Sequence, residues 1–283
     1  MGALWALLSA LAYGTGDFLG GLGGRRTASP PAVSVVLQAT GVLVAAVATL
    51  GWVWLGPGGA PSAVVLAWGA ASGLGSGTGN VALYRGLARG QMAVVAPTSA
   101  VVTVLVPAAV GLALGDRLSP AAWCGVGLSL PAVALTSWTG GALGFSGSDL
   151  AYGAVAGLGF GWLFVALDRA GTGDGPWPLV PGQLVAVVLV LAVSSRSLRR
   201  ARTPWRGVLL WAGTAGLLAG LANQLFLAST ATGPLTVSAV LAALYPAVTV
   251  LLAIWLLAES AGRLRRLGLL ASAASVVLVV GGL

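Results

Sequence analysis

Asn80-Val81-Ala82-Leu83-Tyr84-Arg85-Gly86-Leu87-Ala88-Arg89-Gly90 opens a stretch that runs to Asp116, and Asn223 to Glu259 lines up with it without a gap at an offset of 143 residues. Asn80 meets Asn223, Ala88 meets Ala231, Gly90 meets Gly233, Val94 meets Val237, Ala100 meets Ala243 and Asp116 meets Glu259. The match spreads outward with the small slips that loops of unequal length require. Pro31 and Gln38 fall on Pro176 and Gln183 at offset 145, and Leu11 to Gly14 fall on Leu158 to Gly161 at offset 147. Coincidence at the proline, glutamine, asparagine and acidic positions argues against chance similarity between two Ala/Val/Leu/Gly-rich stretches. In so apolar a chain, an internal duplication implies a transporter built from two halves.

The 283 residues are 58% hydrophobic and only 7% charged, with a mean hydropathy of +0.98. Soluble chains carry about 25% charged residues, so the solvent for this surface is lipid. All 14 basic residues are Arg, and 11 Trp are available as interfacial anchors. A net charge of +8 suggests nucleic acid at first sight, but the arginines lie in the short gaps between apolar runs, where topological charges belong. The expected partners are therefore a lipid bilayer, a small-molecule solute and protons, and not nucleic acid. One cysteine, Cys124, excludes an intrachain disulfide, and without His a metal site is equally poor. No cofactor is expected. The first apolar run lacks an Arg-rich start and a small-residue cleavage site, so it reads as a spanning helix and not as a signal peptide.

A helix needs ~20 residues to cross ~30 Å of hydrocarbon. Apolar runs bounded by Gly, Pro and Arg give ten spans, approximately 3–22, 32–55, 63–87, 92–114, 120–139, 149–168, 178–196, 206–230, 234–258 and 264–282. The fold class expected is an all-α polytopic membrane protein whose ten transmembrane helices form two five-helix repeats, 1–140 and 141–283, around a central cavity. Five spans per repeat is an odd number, so the second repeat enters the bilayer inverted. The arginines agree. Twelve of them follow spans 1, 3, 7 and 9 and share one side, whereas only Arg117 and Arg169, each beside an Asp, lie on the other. Basic loops stay in the cytoplasm, which puts both termini outside.

Glycines recur at spacing four at Gly16, Gly20 and Gly24, at Gly69, Gly73 and Gly77, at Gly153, Gly157 and Gly161, and at Gly216 and Gly220. Such faces bring two helix backbones close in lipid, serving either tight packing alone or sliding contacts beside a moving cavity. They fall on repeat partners, spans 1 with 6 and 3 with 8. Pro97, Pro107, Pro131 and Pro246 remove backbone hydrogen bonds inside spans and bend them, and the freed carbonyls favour a polar cavity.

Asp17 is the one acid well inside a span. It lies ~21 Å along its helix from Ala3 at 1.5 Å per residue. A charge at that depth costs ~2.5–3.5 kcal/mol on insertion scales, which makes Asp17 a candidate proton carrier. The alternative is a pairing with Arg25 or Arg26. Its repeat partner is Phe164, so the role is one-sided. Asp116, Asp149, Asp168 and Glu259 sit at span ends and read as caps or ion pairs. Neutral polar groups inside spans need partners. Those selected as candidate solute contacts beside Asp17 are Gln38, Asn80, Thr98, Ser99, Gln183, Asn223 and Ser238, with Tyr13, Tyr84, Trp162 and Tyr245 as aromatic neighbours. Interhelical hydrogen bonding is the competing role for each.

Asn80 to Gly90 running into Val94-Val95-Ala96-Pro97, together with Leu244-Tyr245-Pro246-Ala247-Val248-Thr249-Val250-Leu251-Leu252 ending at Glu259, resembles the EamA-type members of the drug/metabolite transporter superfamily. The resemblance implies ten helices, a cavity between inverted halves, and alternating-access export of small organic solutes, often proton-linked. It also implies a part for Asp17 like that of the acid in helix 1 of the small four-helix multidrug members. Thr103 departs from the pattern, standing where the second copy has Pro246, with Pro107 one turn later. The charge bias departs as well, since many family members keep both termini inside.

An uncoupled carrier or a channel is the alternative in the same class, although no ring of repeated polar residues suggests a filter. Gly14-Thr15-Gly16-Asp17 superficially resembles the GxGD signature of intramembrane aspartyl proteases. Its second copy, Gly171-Thr172-Gly173-Asp174, falls in a loop outside any span, and such enzymes need two facing carboxylates. The reading is therefore of a non-enzyme in the cell membrane, as a monomer or homodimer.

Overall fold

The computed structural model describes residues 1–27, 29–56, 59–89, 92–138, 147–171, 173–200, 205–258 and 262–282. Among them run eleven helical segments and no strand: α1 Gly2–Thr27, α2 Pro30–Leu55, α3 Ala63–Arg89, α4 Met92–Ala113, α5 Pro120–Thr136, α6 Gly147–Ala170, α7 Leu179–Arg200, α8 Trp205–Thr230, α9 Leu235–Ala242, α10 Tyr245–Leu257 and α11 Arg263–Gly281. All ten apolar stretches are helical, but the ninth is in two pieces. Pro246 has no N–H to donate to the carbonyl of Ala242 and its ring clashes there, so α9 stops at Ala242 and α10 begins at Tyr245. At the equivalent position of α4, Thr103 keeps its N–H and its Oγ1 donates to the Ser99 carbonyl at 2.8 Å. The helix runs on there, and Pro97 and Pro107 do not break it either.

Seven spans among the described residues are long and apolar enough to cross a membrane: α2, α4, α6, α7, α8, α9 with α10, and α11. The other three of the ten expected spans fall short for two reasons. Apolar α5 has only 17 residues, and α1 and α3 are diluted by Gly, Ser and Thr. The surface is inside-out relative to a soluble protein. Trp255 is 85% exposed and Val277 70%, whereas Ser9, Ser229, Thr236 and Ser238 are fully buried. A chain with this distribution is a multi-pass helical membrane protein.

The helices pair through glycine, as lipid-embedded helices must when no hydrophobic drive separates them from their solvent. Helix α3 lies on α6 and α7, α8 on α1 and α2, α6 on α4, α1 on α9 and α10, and α11 on α5. A Cβ at Gly73 would overlap the Gly182 carbonyl, and one at Gly69 the Pro178 carbonyl. A Cβ at Gly157 would stand 2.5 Å from the Ser99 carbonyl, and one at Gly216 2.5 Å from that of Leu37. The α1 series is looser. Gly16 approaches the Ala215 carbonyl, but Gly24 faces open space. Hydroxyls add cross-links, Ser9 Oγ donating to the Ala222 carbonyl and Ser275 Oγ to that of Gly125, both at 2.8 Å. Just past the C-terminal end of α4, Asp116 Oδ2 accepts from Thr236 N at 2.9 Å and caps α9. Asp149 is buried in the first turn of α6, and Glu259 lies outside the described residues.

Candidate functional site

Where α1, α3, α6 and α8 converge, side chains from eight helices enclose a cavity of about 130 Å³. Tyr13 and Asp17, one turn apart on α1, share its wall with Gln38 on α2, Asn80 on α3, Gln183 on α7, Asn223 on α8 and Tyr245 at the first residue of α10. These seven belong to the set selected from the sequence. Five others stand elsewhere or are not described. Thr98 and Ser99 on α4 meet the α6 glycines Gly153 and Gly157. Trp162 turns outward beside Trp68, its Nε1 donating to the Ala71 carbonyl at 3.1 Å. Ser238 is fully buried within α9, all of whose residues are buried. The Tyr84 side chain lies outside the described residues. Sequence reasoning missed Ser76, Phe160 and Phe164 as wall residues. All three had a signal, since Ser76 lies one turn before Asn80, and Phe160 and Phe164 are the repeat counterparts of Tyr13 and Asp17.

The hydrogen bonds fix the amides. Tyr13 Oη donates to Asn223 Oδ1 at 2.7 Å, bridging α1 and α8. Asn80 Nδ2 donates to the Ser76 carbonyl at 2.9 Å and Asn223 Nδ2 to the Ala219 carbonyl at 3.1 Å, so each amide holds the backbone one turn earlier. Gln38 Nε2 reaches Ser76 Oγ at 3.5 Å. Gln183 packs against Gly41, and its buried Oε1 finds no hydrogen-bond partner among the described residues. An acceptor left so on a cavity wall is costly until a donor meets it. The apolar side is aromatic. Tyr13 stands edge-on to Phe164 at 6.4 Å and tilted to Tyr245 at 6.0 Å, while Phe164 stacks on Phe226 at 4.4 Å.

Asp17 is the only carboxylate among the described residues of this wall. Arg26, read as one of its possible partners, lies over the Trp211 ring at 4.7 Å. Asp174, the acid of the second Gly-Thr-Gly-Asp copy, accepts from Ser62 N at 2.9 Å in the connection before α3. Replacing Tyr13 by Phe strands Asn223 Oδ1 without its donor. A loss of about 1–3 kcal/mol is expected, read as a lowered midpoint of thermal unfolding in detergent; an unchanged midpoint would show that water replaces the phenol there.

Fold and site define a multi-pass helical membrane protein with a polar, aromatic-walled cavity at its centre. Residues 1–138 match the EamA-like transporter family, consistent with the drug/metabolite transporter superfamily. No curated protein matches the chain. Among solved structures, one titled only as the crystal structure of a protein is similar along 98% of this chain and 95% of its own, with a TM-score of 0.75 and 16% identity. At that identity the likeness concerns the fold alone.

Proposed function

We propose that the chain is a secondary transporter that moves a small organic solute outward across the cell membrane by alternating access. In this reading residues 1–140 and 141–283 are inverted five-helix repeats, the second as EamA-like as the first, and the ten spans rock about the central cavity. Asp17 exchanges a proton during the cycle. The observation that carries the reading is the make-up of the cavity wall, which holds both members of the pairs Tyr13 and Phe160, Asp17 and Phe164, Gln38 and Gln183, Ser76 and Ala219, and Asn80 and Asn223, each pair equivalent in the duplicated sequence. The packing supports it as well, since α3 on α7 has its counterpart in α8 on α2, and α6 on α4 in α1 on α10. The amides are kept in both halves, but the acid and the aliphatic hydroxyls of Ser76 and Thr103 belong to the first half alone. A solute in this site meets acceptors on one side and aromatic rings on the other. At ~30 Å³ per water, the cavity has room for about four waters, so the solute is small or enters as the site opens.

The test uses purified protein in detergent, challenged with amino acids, sugars and organic cations. A solute at 100 times its Kd adds ~2.7 kcal/mol of stability, readable as a raised unfolding midpoint, and its binding should release protons. A solute that stabilises without proton release would leave an uncoupled carrier; no response to any class would sink the reading. The orientation is tested separately. In a Cys124→Ser background, single cysteines added at each terminus should react with an impermeant thiol reagent in intact cells. Protection of both termini would reverse the orientation.

A further inference from the structure

We propose that a lateral groove between α3, α6 and α7, distinct from the central cavity, holds an anionic phospholipid, one acyl chain along the groove and the phosphate at Arg85. The groove encloses about 500 Å³, within the ~300–1,000 Å³ of ordinary ligand sites. Its walls are single helical stripes. On α3 Gly77, Val81 and Arg85 follow at spacing four, on α6 Ala151 and Val155 do the same, and on α7 Leu189 and Val193 complete the channel. The glycine and alanines leave the room, and the branched residues provide apolar walls.

Among the described lining residues Arg85 is the one charged side chain, and it stands at one end. From Gly77 to Arg85 the α3 stripe is ~12 Å long at 1.5 Å per residue, which fits within the ~15 Å hydrocarbon depth of one leaflet. The Leu189 and Val193 stripe of α7 continues to Arg196, which is exposed, and α6 enters at this same end with its first turn. A positive charge at the mouth of an apolar slot within hydrocarbon matches a lipid with a negative headgroup. A water-soluble anion would leave the slot empty, and a zwitterionic lipid would forgo the net charge. Thr78, Ala151 and Val155 are exposed, so the groove opens sideways to the bilayer.

The test incubates the purified protein in mild detergent with equal amounts of phosphatidylglycerol and phosphatidylethanolamine of identical chains, and counts retained lipid by mass spectrometry. Phosphatidylglycerol should be enriched about fivefold, the equivalent of the ~1 kcal/mol that one Arg contributes beside anionic lipid. Arg85→Gln should bring the ratio to parity, and Arg85→Lys should keep most of the enrichment. Ala151→Trp, which plugs the groove from its exposed side, should reduce both lipids together. Equal retention by the native protein, or enrichment that survives Arg85→Gln, would overturn the proposal. So would full displacement by glycerol 3-phosphate, which would make this a site for a soluble anion. Each variant is compared at matched elution volume and unfolding midpoint, and the readout does not depend on transport.

Discussion

Asp17→Asn should abolish solute-driven proton release, reducing it to buffer background, while solute still raises the unfolding midpoint. The change removes the one carboxylate among the described residues of the cavity wall and substitutes an amide of nearly equal shape, so the packing of Tyr13 one turn away is kept. Folding should not suffer. A charged Asp in the bilayer centre costs ~2.5–3.5 kcal/mol on insertion scales, and the amide removes that liability. The variant should therefore express and unfold as the native protein does, or resist unfolding better. Binding and coupling separate under this substitution. Proton release that persists in Asp17→Asn would move the proton to another group; loss of solute binding along with it would make Asp17 a direct ligand of the solute.

The largest structural effect is expected at Gly73. The backbone of α3 there rests on the Gly182 carbonyl of α7, and two main chains cannot yield as a side chain can. Even modest overpacking costs ~1–3 kcal/mol. Gly73→Leu adds four carbons to a contact with no room for one, so the protein should lose its monodisperse elution peak in detergent. Gly73→Ala should give an intermediate loss of midpoint. Gly213→Leu on α8, where nothing lies within 4 Å, should behave as native. A folded Gly73→Leu would mean that α3 and α7 can separate without cost, and the tight-interface description would fail.

These two sites also show how far the sequence reached. Helix positions were legible because lipid leaves an apolar run of ~20 residues few alternatives. Gly69, Gly73 and Gly77 were legible as an interface because spacing four keeps one face. Which helix that face met was not, since a stripe specifies contact without naming its partner; α7 took it. The break at Ala243 and Leu244 was legible only as a bend, because proline's effect depends on what else holds the turn, and Pro97 and Pro107 sit in an unbroken α4. In the cavity, polarity found the amides and Asp17 but not the rotation of each helix. Ser99 and Thr103 are one turn apart, yet Thr103 lines the cavity and Ser99 does not. Phe160 and Phe164 were passed over for lacking polar atoms, although the wall needs apolar residues as much as polar ones.

The interruption of the ninth span has a mechanical consequence. Helix α9 is wholly buried, while α10 has no buried residue, so one piece is clamped and the other borders lipid. In the proposed alternating-access cycle the gap between them serves as the hinge, with Tyr245, on the cavity wall, at its pivot. The arm from Tyr245 to Leu257 is ~18 Å long at 1.5 Å per residue. A 10° swing would carry its free end ~3 Å and leave the tyrosine almost where it was. In that cycle the leverage acts at the far end of α10, twelve residues from the cavity wall, and a mouth opens there without dismantling the wall.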